Sequence, residues 1–501
     1  MDATEPMDAP ATTDAPETTD ATGNAVRPTR APVPNGDRPF GPRFVTPMFM
    51  GSALNPINSS VLATALVSIA SAMGVSVGRT SILISILYLT SAIAQPTAGR
   101  LAEEFGPRRV FLVGIAIVLS GGILGGVAQN LPTLVAARVL IGLGTSAGYP
   151  SAMLLIRRRA TAIGLQSPPR VVLGGLSISS AATIAIGPTL GGLLVGWFDW
   201  RAAFLINIPV ACTAFAMALL WIAKDPDRIG GRSAREVLAR IDLLGVIGFG
   251  GAMTALLVFL LSLPHPDWIS LGCAIVVAIA LVRWELRAAN PFFDVRLLAA
   301  NLPLTRTYLR YGLTLLGFYV ILYGLTQWIE AAHGLSAYEA GLVLMPMGLL
   351  SAVVARVVSR RSDIRKPLIV SAVFLLAGAV ATLFLNSHSP VIAIVAVTAL
   401  FGLMSGSSNV TNQTALYKQA PAEKLGTASG LLRTFGYIGS IASATITGIA
   451  FRTHVDDAGL RHVSYCLIGI AVVVLLMAVF DRQLSDPGSA PVSGTAAADG
   501  R

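Results

Sequence analysis

The sequence predicts an all-α polytopic membrane protein, and three observations lead there. Hydrophobic residues make up 54% of the 501-residue chain and charged residues only 12%, about half the ~25% typical of soluble domains. Long apolar runs recur between short charge clusters, each near the ~20 residues that carry a helix across a bilayer. Basic residues gather in alternate connections, the distribution that orients membrane helices. A soluble chain of this length would form several domains and need far more charge to cover them. An ordinary soluble enzyme, a disordered scaffold, a collagen and a disulfide-stapled module are excluded by composition.

Reading the apolar runs in order gives fourteen candidate spans, near 45–67, 80–99, 109–128, 131–153, 171–195, 202–222, 241–263, 267–283, 307–329, 338–356, 367–386, 390–415, 426–450 and 463–480. The run at 338–356 is interrupted by Pro346. Charge tests the count. With both termini in the cytoplasm, Arg79, Arg201, Arg452 and Arg461 fall in outer loops and Arg138 and Arg433 inside spans. The rest of the 36 Lys and Arg fall in the tails and inner loops, including 157–159, 224–240 and 356–366. The net charge of +10 therefore reflects membrane topology and implies no nucleic-acid partner.

Residues 1–42 and 483–501 are rich in Ala, Thr, Ser, Gly and Pro, and are expected to be disordered cytoplasmic tails. The acidic, polar start is not a secretory signal. Cys212, Cys273 and Cys466 each sit alone in an apolar run, which reads as buried thiols rather than disulfides or zinc ligands. The five histidines map to outer loops or span ends. No metal, cofactor or intramembrane catalytic cluster is implied, so the chain reads as a non-enzyme whose partners are the lipid bilayer and small molecules.

Four strings stand out. After the second span comes Gly99-Arg100-Leu101-Ala102-Glu103-Glu104-Phe105-Gly106-Pro107-Arg108-Arg109, with glycines for a tight turn and mixed charges able to latch two helices. The fourth span places Arg138 four and six residues before Gly142 and Gly144; an unpaired arginine in a span costs at least ~2.5 kcal/mol. The fifth carries Gly187-Pro188-Thr189-Leu190-Gly191-Gly192, where Pro188 bends the helix and the glycines admit another backbone. The sixth opens Trp200-Arg201-Ala202-Ala203-Phe204-Leu205-Ile206-Asn207-Ile208-Pro209; Trp200 suits the membrane interface and Asn207 a structural hydrogen bond.

These strings resemble the inner-loop latch, the coupling arginine, the antiporter-type hinge and the sixth-span signature of the major facilitator superfamily, in its fourteen-span drug:proton antiporter branch. A worn copy of the latch lies at 356–361. The resemblance implies a major-facilitator fold: two six-helix pseudo-repeats, 43–222 and 301–482, joined by a linker at 223–300 that carries two extra helices. It implies a monomeric proton-coupled exporter of drugs or amphipathic molecules in the plasma (inner) membrane, with Arg138 in proton coupling. Uptake of a sugar or organic acid by proton symport, or a non-transporting sensor, are the alternatives. Two departures are visible: Glu103 replaces the family's aspartate in the latch, and Asn55, which cannot carry a proton, stands where the branch often has aspartate.

Polar residues in spans prefer the bundle interior, and helical spacing groups them. Asn55, Asn58 and Ser59 share a face of the first span. Tyr319, Tyr323, Gln327 and Glu330 form a stripe on the ninth, and Ser405, Ser408, Asn409 and Asn412 on the twelfth. Gln95, Tyr149, Arg433 and Tyr437 complete the expected substrate cavity. Glu330, an acid away from the inner face, is the second proton-coupling candidate.

Overall fold

The computed structural model describes residues 39–165, 169–225, 242–263, 265–289, 291–292, 295–360, 363–420 and 425–481. Nearly all of both tails, the basic connection 226–241 and Arg361 of the worn latch lie outside these residues. The described chain is helical throughout. Among the described residues, twelve helices are long and apolar enough to cross a bilayer. In chain order the long helices are α1 (Pro42–Val61, resuming as Leu66–Met73 after a 3-10 turn), α2 (Ile82–Phe105), α3 (Pro107–Gly126), α4 (Leu131–Thr145, resuming as Gly148–Ala162), α5 (Arg170–Trp197), α6 (Asn207–Trp221), α7 (Leu243–Ser262), α8 (Trp268–Glu285), α9 (Leu302–Ala331), α10 (Ala337–Val358), α11 (Arg365–Leu383), α12 (Val391–Gln419), α13 (Leu425–Ala450) and α14 (Asp457–Phe480). The helices outside the twelve are α5, which runs over residues not fully described, and α13, whose Arg433, Thr434, Ser440, Ser443, Thr445 and Thr447 dilute its apolar character. The expected fourteen spans are thus twelve on hydropathy and length.

Local chemistry sets the helix ends. Asn130, Asn301 and Asp456 accept backbone N–H groups at the starts of α4, α9 and α14, and Ser336 with Glu339 forms a reciprocal capping box on α10. The Ser270 hydroxyl, donating to Asp267 at the start of α8, holds that carboxyl below its usual range. Helix α10 continues through Pro346, so the interruption read from sequence does not end it; tertiary packing can hold a proline-containing span together. Helix α4 does break, at Ser146–Ala147, where a Cβ on Gly144 would strike the backbone of Gly114 and one on Gly148 the backbone of Gly51.

The helices alternate in direction, so Pro39 and Asp481 share one end of the bundle, the near end. The apolar core differs between the two ends. Toward the far end one continuous cluster joins both helix sets: Leu62, Leu66, Leu87 and Ile141 from α1–α4 with Ile321, Leu344 and Phe401 from α9–α12 and Phe451 just past α13. Toward the near end the core divides. Met48, Phe111 and Ile156 belong to a cluster confined to α1–α6, and Leu304, Tyr308 and Leu432 to one confined to α9–α13. Helices α7 and α8 pack on each other, and α7 touches α2 and α13. Their outer faces, like those of the bundle, expose Ile247, Ile269 and Val276 as an apolar belt fit for lipid. The three cysteines are on this outer surface. The expectation of thiols buried in protein is therefore corrected: apolar runs in a membrane protein face lipid as readily as core.

Candidate substrate pathway and gates

The latch string turns at Gly106, whose φ of 96° belongs to the region that favours glycine, and a Cβ there would overlap Asp225. The backbone N–H groups of Arg108 and Arg109 donate to Asp225 at 3.4 and 2.9 Å, and Arg158 approaches the same carboxylate at 3.5 Å. Arg108 also reaches the Leu219 carbonyl at 2.9 Å. Asp225, just beyond α6, is thus an acid of this latch that the motif does not name. Glu103 is exposed and lines an open groove of about 410 Å³ with Leu154, Arg157, Arg158 and Thr161. Arg100 turns toward the inserted helices, donating to the Pro291 carbonyl at 2.6 Å. Gly99 stays close to Pro150.

Inside α1–α6 the polar groups are matched to one another. Asn58 and Asn207 exchange amide hydrogen bonds at 2.7 and 2.8 Å, and each also donates to the carbonyl of a residue one turn earlier. Asn58, expected in the cavity, is 3% exposed, because the same helix face that could meet a cavity meets α6. Asn207→Ala would leave the Asn58 side-chain Oδ1 without its donor. A loss of about 1–3 kcal/mol is expected, read as a lower thermal midpoint in detergent. Asn55 donates to Ser91 and Thr145 hydroxyls at 2.8 and 3.1 Å, tying α1 to α2 and α4. Ser59 bonds the Pro56 carbonyl at 2.9 Å. Arg138 is 2% exposed and donates to the carbonyls of Leu83 and Asn58, both at 3.0 Å. It is held inside the bundle rather than extended toward water. Trp200, expected at the interface, is also 2% exposed, with Arg201 stacked 4.3 Å above it and Phe204 edge-on. Pro209 is exposed, two residues beyond Asn207.

The hinge string forms a seam. Gly187 and Gly191 sit against Ser60 and Val61 of α1; Gly192 meets the Ala337 backbone, and Gly341 of α10 meets Pro188 and Thr189. The Thr189 hydroxyl donates to the Gly341 carbonyl at 2.8 Å. These contacts, with Gly78 against Gly448 and Phe451, close the far end at backbone distance.

At the centre four tyrosines meet across the helix sets. Tyr88 lies 3.1 Å, oxygen to oxygen, from Tyr323; Tyr319 stacks on Tyr323 with ring centroids 5.6 Å apart; Tyr437 lies beside Tyr88 and donates to Gln95. Tyr88 was not singled out from sequence, because its partner lies 235 positions away. The α12 stripe splits. Ser405 and Asn409 line a cavity of about 20 Å³ with Phe318 and Ser351, room for about one water. Asn412 instead turns to Arg310, whose Nε donates to its Oδ1 at 3.0 Å, and its amide donates to the Ser408 hydroxyl at 3.0 Å. Arg310, counted above with the loop charges, lies inside α9 at 1% exposure and 3.5 Å from Asp481. Gln327 is fully buried and, among the described residues, has no hydrogen bond to either amide atom; the Glu330 Oε1 one turn on is likewise buried without a partner among them. Nearer the open core, the Arg433 guanidinium lies 3.5 Å from the Tyr149 ring centroid.

A bundle of lipid-facing helices, closed at one end and polar at its centre, defines a membrane transporter. The family model "Major Facilitator Superfamily" matches residues 48–444, and the chain belongs to that superfamily; it is a transporter and not an enzyme. It is 34% identical to an uncharacterized MFS-type transporter, YwoD, of Bacillus subtilis over 87% of this chain and 96% of the relative. It is 28% identical to the tetracenomycin C resistance and export protein of Streptomyces glaucescens, over 81% and 75%, and 26% identical to the multidrug efflux pump LfrA of Mycolicibacterium smegmatis, over 81% and 80%. Among solved structures, the peptide transporter POT in complex with alafosfalin matches with a TM-score of 0.65 at 14% identity, covering 90% of this chain and 97% of that one.

Proposed function

We propose that the protein is a proton-coupled antiporter that exports drugs or other amphipathic small molecules by alternating access. The observation that carries this is the unequal core: apolar packing is continuous between α1–α4 and α9–α14 at the far end and parted at the near end. Two six-helix halves, 43–222 and 301–482, rocking about the central tyrosines would exchange which end is sealed. Helices α5 and α13, added to the twelve, give fourteen spans, with α7 and α8 as the inserted pair in 223–300. The basic near end, with Arg157, Arg158 and Arg159, supports the reading that both termini are cytoplasmic, in a monomer of the plasma (inner) membrane. Relatives named for drug efflux and resistance support export.

Glu330 and Arg138 are the coupling candidates. Glu330 ends the buried stripe from Tyr319 through Gln327 and has an unpartnered carboxyl oxygen, the place for a proton to load from the far side. Glu330→Gln is expected to reduce gradient-driven flux at least about tenfold; full flux in that variant would remove Glu330 from the mechanism. The function itself is tested by dye movement into inverted vesicles under an imposed, then collapsed, proton gradient. Accumulation that collapses with the gradient is the expected result. Gradient-driven movement in the opposite direction would establish uptake instead.

A further inference from the structure

The arginines of this chain are neutralised in different ways. Arg310 has Asp481, Arg158 has Asp225 and Arg201 has Asp199. Arg100 faces Asp242, Glu285 and Glu103. Arg138 pairs with no described acid but is sealed at 2% exposure on two carbonyls. Arg433 differs from all of these. Its guanidinium lies against the Tyr149 ring, its titratable neighbours are the phenols of Tyr149, Tyr311 and Tyr437, and it forms no ion pair with a described acid. Phenols are neutral at physiological pH, so the site keeps a full positive charge.

The charge is also partly exposed. Arg433, Tyr149, Tyr311 and Tyr437 are half-buried, and they come from α4, α9 and α13, on both sides of the parted near end. Gln413 on α12 is half-buried as well. A lone cation in a span is costly, and stacking on a tyrosine face returns only part of that cost. A ligand with an anionic oxygen would complete the site by a charge-assisted, two-pronged hydrogen bond to the guanidinium. The surrounding phenol rings would then stack on an aromatic body.

We propose that Arg433 is the counter-charge of the transported molecule, which therefore bears an acidic group, such as a carboxylate, on an aromatic framework. This rests on the export reading only in taking the parted end as the substrate's route. Glu330 lies at the other end of the α9 stripe and would not compete with the anion.

The test is equilibrium binding to the purified full-length protein in nanodiscs with no gradient. The probes are anthracene-9-carboxylate, its methyl ester and 9-(aminomethyl)anthracene. The carboxylate is expected to bind at least about tenfold tighter than the ester, the scale of one charged hydrogen bond, and the amine most weakly. Arg433→Gln should lose that preference while still binding the ester, which also reports an intact protein; Arg433→Lys should keep part of it. If Arg433→Gln is not recovered folded, the wild-type and lysine ratios decide. Equal binding of acid and ester by wild type, no displaceable binding of the acid, or an unchanged preference in either variant recovered overturns the proposal. Acid preference without gradient-driven movement would overturn the export reading alone, and export without acid preference this inference alone.

Discussion

Arg310→Leu is expected to lower the thermal unfolding midpoint in detergent more than any surface charge change, by an amount equivalent to about 3–5 kcal/mol, because it breaks a buried ion pair. Arg310 is 1% exposed and Asp481 only 4%. The guanidinium donates to Asn412 at 3.0 Å and to the Thr307 hydroxyl at 3.1 Å, and lies 3.5 Å from Asp481. Removing it strands the carboxylate with Arg306 alone, whose side chain is 50% exposed and 3.6 Å away. It also leaves the Asn412 oxygen without that donor. Arg306→Leu, by contrast, should cost about 0–1 kcal/mol, as exposed pairs do. The double change Arg310→Leu, Asp481→Leu should recover much of the single loss, since a buried pair replaced by apolar groups is often neutral. If the single and double variants melt together, the pair is not what joins the end of α14 to α9 and α12.

The helices were legible in the sequence because a bilayer demands long apolar runs: each expected run coincides with a long helix, and twelve of these helices are long and apolar enough to cross a bilayer. What faces what was less legible. Helical spacing places Asn58 and Asn412 on an inward face, but an inward face meets neighbouring helices as well as any cavity, and these two amides meet Asn207 and Arg310. Arg310 is counted with the loop charges although the run 307–329 already contains it, because a charge near a run's edge reads as a flank; α9 starts at Leu302, two turns earlier, and encloses it. Asp225, the acid of the latch, follows α6 in a basic connection and resembles topology-setting charge until Gly106 and the Arg108 and Arg109 amides are seen on it. The cysteines and Trp200 misled in opposite directions. Hydropathy alone does not separate lipid from protein as the apolar surroundings of a side chain. The glycines of the hinge string were the most informative residues, because a backbone approach admits few other residue types and the seam brings two backbones together.

Gly341→Val is expected to abolish transport, to at most about a tenth of wild type, while the protein still inserts and can be purified. A Cβ at Gly341 would lie 2.8 Å from the Pro188 carbonyl oxygen and 3.1 Å from the Thr189 Cα. Both are backbone atoms, so neither can swing aside as a side chain would. Overpacking of this kind costs typically ~1–3 kcal/mol when the structure can shift, and here the shift available is separation of α5 from α10. The variant should therefore favour the state with the far end open. Leu190→Cys, at a half-buried seam position in a background lacking Cys212, Cys273 and Cys466, should become reactive to a membrane-impermeant maleimide added at the far side. Gly192→Val should act alike, because its Cβ would strike Ala337 from the opposite helix. Gly272→Val and Gly469→Val are the controls: nothing lies within 4 Å of a Cβ at either position, and both should transport normally. A fully active, unlabelled Gly341→Val protein would mean that the seam yields without opening. The continuous far-end core would then be a fixed joint, and the moving parts would have to be sought where the near end is already parted.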